Sequence, residues 1–382
     1  MKFDEVGTYK IEYTATDGCG NSTTEDRLVT VTPPPVYGAI WDGSENPAWT
    51  RTDLAANFPD PSPAVANGTG SSPFDDIMPW SGMQIVEDAE AGTLVSIPKF
   101  YYKWTRDGSS MKLQISPSAQ DGFYVSPAHA DRGDGAGERD IVYVGRYHCV
   151  SDYKSTTGVA PLRSLTRDAF RQSIHGLGLD VWQSDFAMYW TIRMLYLVEY
   201  ANWNSQASIG YGCGTGAVIN NGSTDLMQYH TGTNAVSTDT YGEVQYRFIE
   251  GLWSNVFDWV DGIRFDGANM YVFNTPSDFD DTLGGVFVSY TAVGTGLAKT
   301  MSDTLLAESD GYEYALVPLP DIYATESTYI CDKVDFETSN QGVPKCGGSY
   351  GFRNQEYGLF HFNRRSKGAI ANTGSRLMKL PT

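Results

Sequence analysis

The residues whose types and spacing come nearest to a catalytic pattern are Gly347-Gly348-Ser349-Tyr350-Gly351. They fit G-x-S-x-G, in which a serine held on a sharp strand-to-helix turn becomes a nucleophile once a base takes its proton. The context does not support that chemistry. Pro344-Lys345-Cys346 is not a buried strand, no amphipathic helix follows, and beyond Ser349 there is no Asp and only His361 as a base. The glycines read instead as parts of a tight loop. Gly210-Tyr211-Gly212-Cys213-Gly214-Thr215-Gly216 resembles a phosphate cradle only superficially, since no P-loop lysine follows and the preceding segment is helical; a flexible or closely packed loop is the expectation. His129, His148, His175, His230 and His361 show no metal-ligand spacing, and the acidic clusters Asp131–Asp140 and Asp278–Asp281 lack the ligand alternation of a calcium loop. No catalytic residue, metal or cofactor is therefore assigned. Trp253, Phe257 and Trp259 are spaced for a packed core rather than for a sugar-stacking platform.

Bulk composition narrows the class of partner. A formal net charge of −19 opposes phosphate binding and excludes nucleic acid as the expected ligand. The charge is uneven, however: Gly347–Thr382 carries Arg353, Arg364, Arg365, Lys367, Arg376 and Lys379 against the single acid Glu356. With 41% hydrophobic, 19% charged and 13% aromatic residues and 40 Gly, the chain reads as globular and loop-rich with many aromatic anchors. Cys19, Cys149, Cys213, Cys331 and Cys346 are odd in number and contain no C-x-x-C, so neither a disulfide framework nor a zinc site is indicated. Cys331 and Cys346 are the one pair close enough in sequence to bracket a short loop, although free buried thiols are the expectation in a reducing compartment. No signal-peptide pattern follows Met1, and the longest apolar stretch, Phe186–Val198, is too short to span a bilayer and is interrupted by Arg193. A soluble protein without membrane insertion is predicted.

Such residues need elements to hold them. Gly7–Thr32 reads as a hairpin: Tyr9, Ile11 and Tyr13 alternate with polar positions, Asp17-Gly18-Cys19-Gly20-Asn21 supplies the turn, and Leu28-Val29-Thr30-Val31 returns. Two strands alone are marginal in water, so the hairpin is expected to belong to a sheet completed by upstream residues or by a neighbour. Pro33-Pro34-Pro35 marks a stiff linker. A β-rich lead-in over 36–120 shows short strands at Thr93–Ile97, Lys99–Trp104 and Lys112–Ile115, and Gly122–Val125 and Asp140–Tyr147 continue the pattern into the main domain, 121–382. Two helices are expected there. Thr166 caps Arg167–His175, and Asp180 or Ser184 caps a run to about Trp203 that has almost no polar face and must be buried on several sides. Further strands are expected at Met270–Asn274, Val286–Tyr290 and Tyr314–Val317.

Two segments also carry a resemblance. Trp253-Ser254-Asn255-Val256-Phe257-Asp258-Trp259-Val260-Asp261-Gly262 resembles the core motif of the formylglycine-generating branch of the C-type lectin fold. Cys346-Gly347-Gly348-Ser349-Tyr350, through Gly358-Leu359-Phe360-His361-Phe362-Asn363 to Gly374-Ser375-Arg376-Leu377, looks like the end of variable proteins diversified by retroelements, among them phage tail receptor-binding proteins and bacterial surface adhesins. Val6–Asp17 with Gly20-Asn21-Ser22 resembles the last strands of bacterial immunoglobulin-like repeats, giving a fragment over 1–32 and a linker over 33–35. The resemblance implies an α+β, C-type-lectin-like fold with two central helices and short antiparallel strands, preceded by the all-β immunoglobulin-like fragment.

In such proteins fixed positions frame exchangeable ones. Carried onto this chain, the frame is Gly347, Gly348, Gly358, Leu359, Phe360, Phe362, Gly374, Ser375, Arg376 and Leu377, within a variable region 347–377. The implied ligand contacts are Tyr350, Phe352, Arg353, Asn354, Gln355, Tyr357, His361, Asn363, Arg364, Arg365, Lys367 and Ile370. Alternation in Leu359–Asn363 agrees, placing Phe360 and Phe362 inward and His361 and Asn363 outward. The implied function is a non-enzymatic receptor-binding protein, trimeric and located at a phage tail tip, that binds a host-surface protein or glycan. The alternatives are a bacterial cell-surface adhesin and a formylglycine-generating-type oxidase; the latter's cysteine pair has no clear counterpart in Cys331 and Cys346, and the sugar-binding motifs of calcium-dependent lectins are absent.

Overall fold

The computed structural model of the protein describes residues 6–381 except 213, 215, 267–268, 283–285, 290–293, 302–310, 322–329, 337–340 and 353–355. The chain divides into two compact units, Met1–Pro35 and Val36–Thr382. In the first, strands Gly7–Thr16 and Ser22–Val31 pair antiparallel in unbroken register from Gly7 opposite Val31 to Thr16 opposite Ser22. The Asp17 carboxylate accepts the Asn21 side-chain amide N–H at 2.8 Å and the Asn21 and Cys19 backbone N–H groups at 2.9 and 2.8 Å, and these bonds lower its pKa and fix the turn.

In Val36–Thr382 the expected α+β fold with two central helices is corrected. The protein is mostly β, with 35% strand against 10% helix in three helices among the described residues. Only one helix is central. Helix α1, Arg167–His175, begins at Thr166, whose hydroxyl accepts the Ala169 N–H, and buries only Arg167, Phe170 and Ile174, so it lies at the periphery. Helix α2, Phe186–Tyr200, is buried at every position. Its cap is Asp185 rather than Asp180 or Ser184: the carboxylate accepts the Met188 N–H at 2.8 Å and is ion-paired with Arg132. Helix α3, Ser205–Ser208, is a single turn. No helix among the described residues is long and apolar enough to cross a membrane.

Sheets surround α2. One has the strand order Tyr124–Val125, Tyr101–Asp107, Ser110–Ser116, Tyr37–Trp41, Thr50–Asp53. A second runs Val181–Gln183, Leu377–Lys379, Ile141–Gly145, Gly92–Pro98, Ile85–Asp88, joining the C-terminal strand to elements distant in sequence. A ten-stranded sheet carries Phe362–Arg365 between Gln341–Cys346, its antiparallel neighbour, and Cys331–Phe336, its parallel one. The expected strand at Tyr314–Val317 is absent; that stretch is buried but irregular, and the Leu316 carbonyl accepts the Trp190 indole N–H at 3.0 Å. Glu199 and Thr191 of α2 find hydrogen-bond partners inside the core. Glu199 pairs with Arg247 at 2.5 Å and also accepts the Tyr246 and Ser72 hydroxyls at 2.9 and 2.7 Å.

Candidate functional site

The geometry of the C-terminal segment is set by Leu252-Trp253-Ser254-Asn255, a buried turn in which Asn255 takes a left-handed conformation at φ 54°. Two glycine-bearing loops lie against it. Gly347 has φ 78°, and a Cβ there would come within 2.4 Å of the Leu252 carbonyl; a Cβ on Gly348 would meet the Trp253 carbonyl at 2.5 Å. Only glycine fits this approach. On the other side the Trp253 indole donates to the Gly210 carbonyl at 2.9 Å, and a Cβ on Gly212 would meet the Trp253 carbonyl at 2.6 Å. Gly210 and Gly212 are thus closely packed against Trp253.

That arrangement fixes Tyr350 from both sides. Its N–H donates to the Asn255 carbonyl at 2.7 Å, and its carbonyl accepts the Gly216 N–H at 2.9 Å. Next to it Phe352, 37% exposed, stacks on Tyr357 at 4.5 Å and on the buried Phe257 at 5.5 Å, and Tyr357 packs on His361 at 4.9 Å. The Lys345 ammonium lies 3.8 Å from the Phe257 ring centroid. The expected frame residues Leu359, Phe360, Phe362, Ser375, Arg376 and Leu377 are all buried. Arg376 donates to the carbonyls of Gly145, Arg146 and Glu250 at 2.6–2.8 Å, binding the segment to the rest of the unit. Arg193 of α2 holds the Leu359 carbonyl at 2.9 and 3.1 Å, and the buried Asp332 carboxylate accepts the Phe360 N–H at 2.8 Å.

The expected contact residues divide into groups. Tyr350 is half-buried and Phe352 exposed. Arg365 is partly exposed and bridged to Asp335 at 2.8 Å. Half-buried Lys367 lines a cleft of about 600 Å³ with Asp168, Arg171 and Asp281, whereas Ile370 packs onto a small apolar cluster around Phe170 and Ile174. Arg353, Asn354 and Gln355 lie outside the described residues.

The outward placement of Tyr357, His361, Asn363 and Arg364 is corrected, because all four are buried, His361 at 0% exposure. Alternation exposes every second side chain only where one face of a sheet meets solvent. Strand Phe362–Arg365 is internal, and both its faces are covered. Arg364 lies over the Phe265 ring at 5.4 Å, and burial together with the Lys345 charge pushes the His361 pKa well below the usual histidine range, so its ring is neutral at pH 7.

Sequence reasoning missed Tyr211 and Tyr241. Their rings lie 5.8 Å apart, Tyr211 standing between Gly210 and Gly212 and Tyr241 just before the strand Val244–Tyr246, and Tyr241 is 40% exposed. An aromatic inside the glycine run was the available signal for Tyr211; nothing local marks Tyr241. The oxidase alternative finds no reactive thiol in Cys346, which is free, fully buried and pushed up to about 11 by burial, since a reactive thiol needs a lowered pKa and access. Ser349 is buried, and its hydroxyl accepts the Asn372 amide N–H at 3.2 Å. The acidic clusters are engaged within the protein: Asp281 pairs with Arg167 and Arg171, and Asp134 pairs with Arg139. In comparisons with known proteins, no family model matches the chain and no curated protein matches it.

Proposed function

We propose that this chain is a receptor-binding protein of the retroelement-diversified kind, carried at a phage tail tip, and that it engages a host-surface molecule through Tyr350 and Phe352 together with Tyr211 and Tyr241. The observation that carries this reading is an exposed aromatic mounted on a rigid base. Phe352 stands on Phe257 and Tyr357, and the adjacent Tyr350 is hydrogen-bonded through its backbone on both sides. Aromatic side chains on a preorganised frame give large contact area at low entropic cost, which is the economy of binding hot spots. Arg365 and Lys367 add cationic groups at the edge of an otherwise acidic chain. Several copies at one tip would bind by avidity.

The test is the pattern of substitution among sibling isolates combined with adsorption. Changes should concentrate at Tyr350, Phe352, 353–355, Arg365 and Lys367 and spare the buried Tyr357, His361, Asn363 and Arg364. Tyr350→Ala with Phe352→Ala should abolish adsorption to host cells while the protein stays folded. Adsorption unchanged in that double variant would refute the assignment.

A further inference from the structure

A second concave site shares no residue with this patch. A cleft of about 340 Å³ opens where α2 ends, lined by Trp49, Asp60, Tyr200, Asn202 and Ser208 among others. Its volume is at the small end of the range for ligand clefts, ~300–1,000 Å³, which suits one sugar ring better than a peptide. The aromatic lining is immobile: Trp49 packs edge-on against Trp203 at 5.0 Å, and Tyr200 stacks on Tyr196 at 5.3 Å with rings within 8° of parallel. Ala201 sits at φ 49°, a left-handed conformation uncommon for a residue with a Cβ, and its carbonyl accepts the Trp49 N–H at 2.7 Å, so helix end and tryptophan are fixed together.

The polar groups around those rings are few and oriented. Asp60 is 89% exposed, yet one carboxylate oxygen is held at 2.6 Å by Arg51, itself fixed by donating to the Glu199 carbonyl at 2.6 Å; the other oxygen is left to accept. Asn202 uses its side-chain oxygen for the Asn204 N–H at 2.8 Å, leaving its amide N–H groups to donate. The Trp49 and Tyr200 rings, both largely buried, form the floor beneath these polar groups. A carboxylate acceptor, an amide donor and an aromatic wall are the groups that recognise a ring of vicinal hydroxyls with an apolar face. Arg51 already neutralises Asp60, so the cleft offers no uncompensated cation to an anionic ligand.

We infer that this cleft is a metal-independent binding site for a single neutral pyranose unit, recognised by Asp60 and Asn202 over the floor formed by Trp49 and Tyr200. The inference stands independently of the C-terminal patch. It is tested by calorimetric titration of the full chain with the methyl glycosides of glucose, galactose, mannose and N-acetylglucosamine, and with N-acetylneuraminic acid as the anionic comparator. At least one neutral glycoside should bind with a Kd on the order of millimolar, as expected for so small a ligand. Asp60→Ala, on an exposed side chain, should weaken it by about tenfold, the loss of one charge-assisted hydrogen bond. Asn202→Asp, which keeps the oxygen that accepts the Asn204 N–H but removes the amide donor, should also weaken it, whereas Phe352→Ala should leave it unchanged. Failure of every neutral glycoside to bind, tighter binding of the sialic acid, or binding indifferent to both cleft variants would each overturn the inference. None of those results would bear on Tyr350 and Phe352.

Discussion

Phe352 and Phe360 stand close in sequence and differ in what they touch, which makes their truncation a direct test of frame against patch. Phe360 is fully buried, packed on Trp203 at 5.0 Å and Tyr196 at 6.0 Å with the Arg193 guanidinium 5.5 Å from its ring. Truncating such a ring to alanine costs about 3–5 kcal/mol, from lost transfer energy and the cavity left behind. Phe352 is already 37% exposed and makes two ring contacts, at 4.5 and 5.5 Å. The loss there is about 1–2 kcal/mol, counting partial burial and the aromatic pairs. For a unit of this size, with about 2.1 cal/mol/K of unfolding entropy per residue, these losses lower Tm by about 5 °C for Phe360→Ala and about 2 °C for Phe352→Ala. Thermal melting followed by circular dichroism separates the two, and cell adsorption should fall for Phe352→Ala with little change in fold. Equal destabilisation by the two variants would show that Phe352 is part of the packing, and the reasoning that makes it a contact would fail.

Four further outcomes are expected. Burial pushes His129 and His148 down to about 4, so below the usual histidine pKa of about 6.5 the unfolded state takes up protons that the folded state refuses, and stability falls as pH drops from 6.5 towards 4. Glu243, raised by burial and by neighbouring Glu250, has the opposite sign: the folded state holds a proton the unfolded state has lost, so stability declines as pH rises above the ordinary carboxylate pKa of about 4.3, and Glu243→Gln should flatten that limb in urea titrations from about pH 5 upward. Arg247→Met should strand the buried Glu199 carboxylate and cost about 3–5 kcal/mol by chemical denaturation. Gly347→Ala should lower Tm through the 2.4 Å approach to the Leu252 carbonyl, whereas Gly351→Ala, where a Cβ would meet nothing within 4 Å, should leave it nearly unchanged.

The corrected fold class has a local cause. An unbroken run of aromatic and aliphatic residues over Phe186–Val198 announces one helix strongly, and Thr166 with Phe170 and Ile174 announces another. Strands of two or three residues, such as Thr373–Gly374 and Val244–Tyr246, leave almost no periodic signature, so their sum escapes a local reading. The cap of α2 was misplaced for a similar reason. Asp180, Ser184 and Asp185 are equivalent as local capping residues, and Asp185 is selected by Arg132, more than fifty positions earlier.

Sequence alone determined what depends on neighbouring residues. The Asp17–Asn21 turn and its paired strands, the Thr166 cap and the burial of α2 follow from turn chemistry, capping and apolar density within a few positions. The need for glycine at 347 and 348 was legible as a tight loop, although the Leu252 and Trp253 carbonyls that require it were not. Tertiary structure alone decided which of the C-terminal side chains meet solvent. Phe362–Arg365 acquires neighbours on both edges and cover on both faces, and this buries His361, Asn363 and Arg364, while tertiary contact alone sets the Tyr211 ring against that of Tyr241, far along the sequence. Period-two alternation states which side chains share a face; whether that face is wet is fixed by the elements that pack upon it.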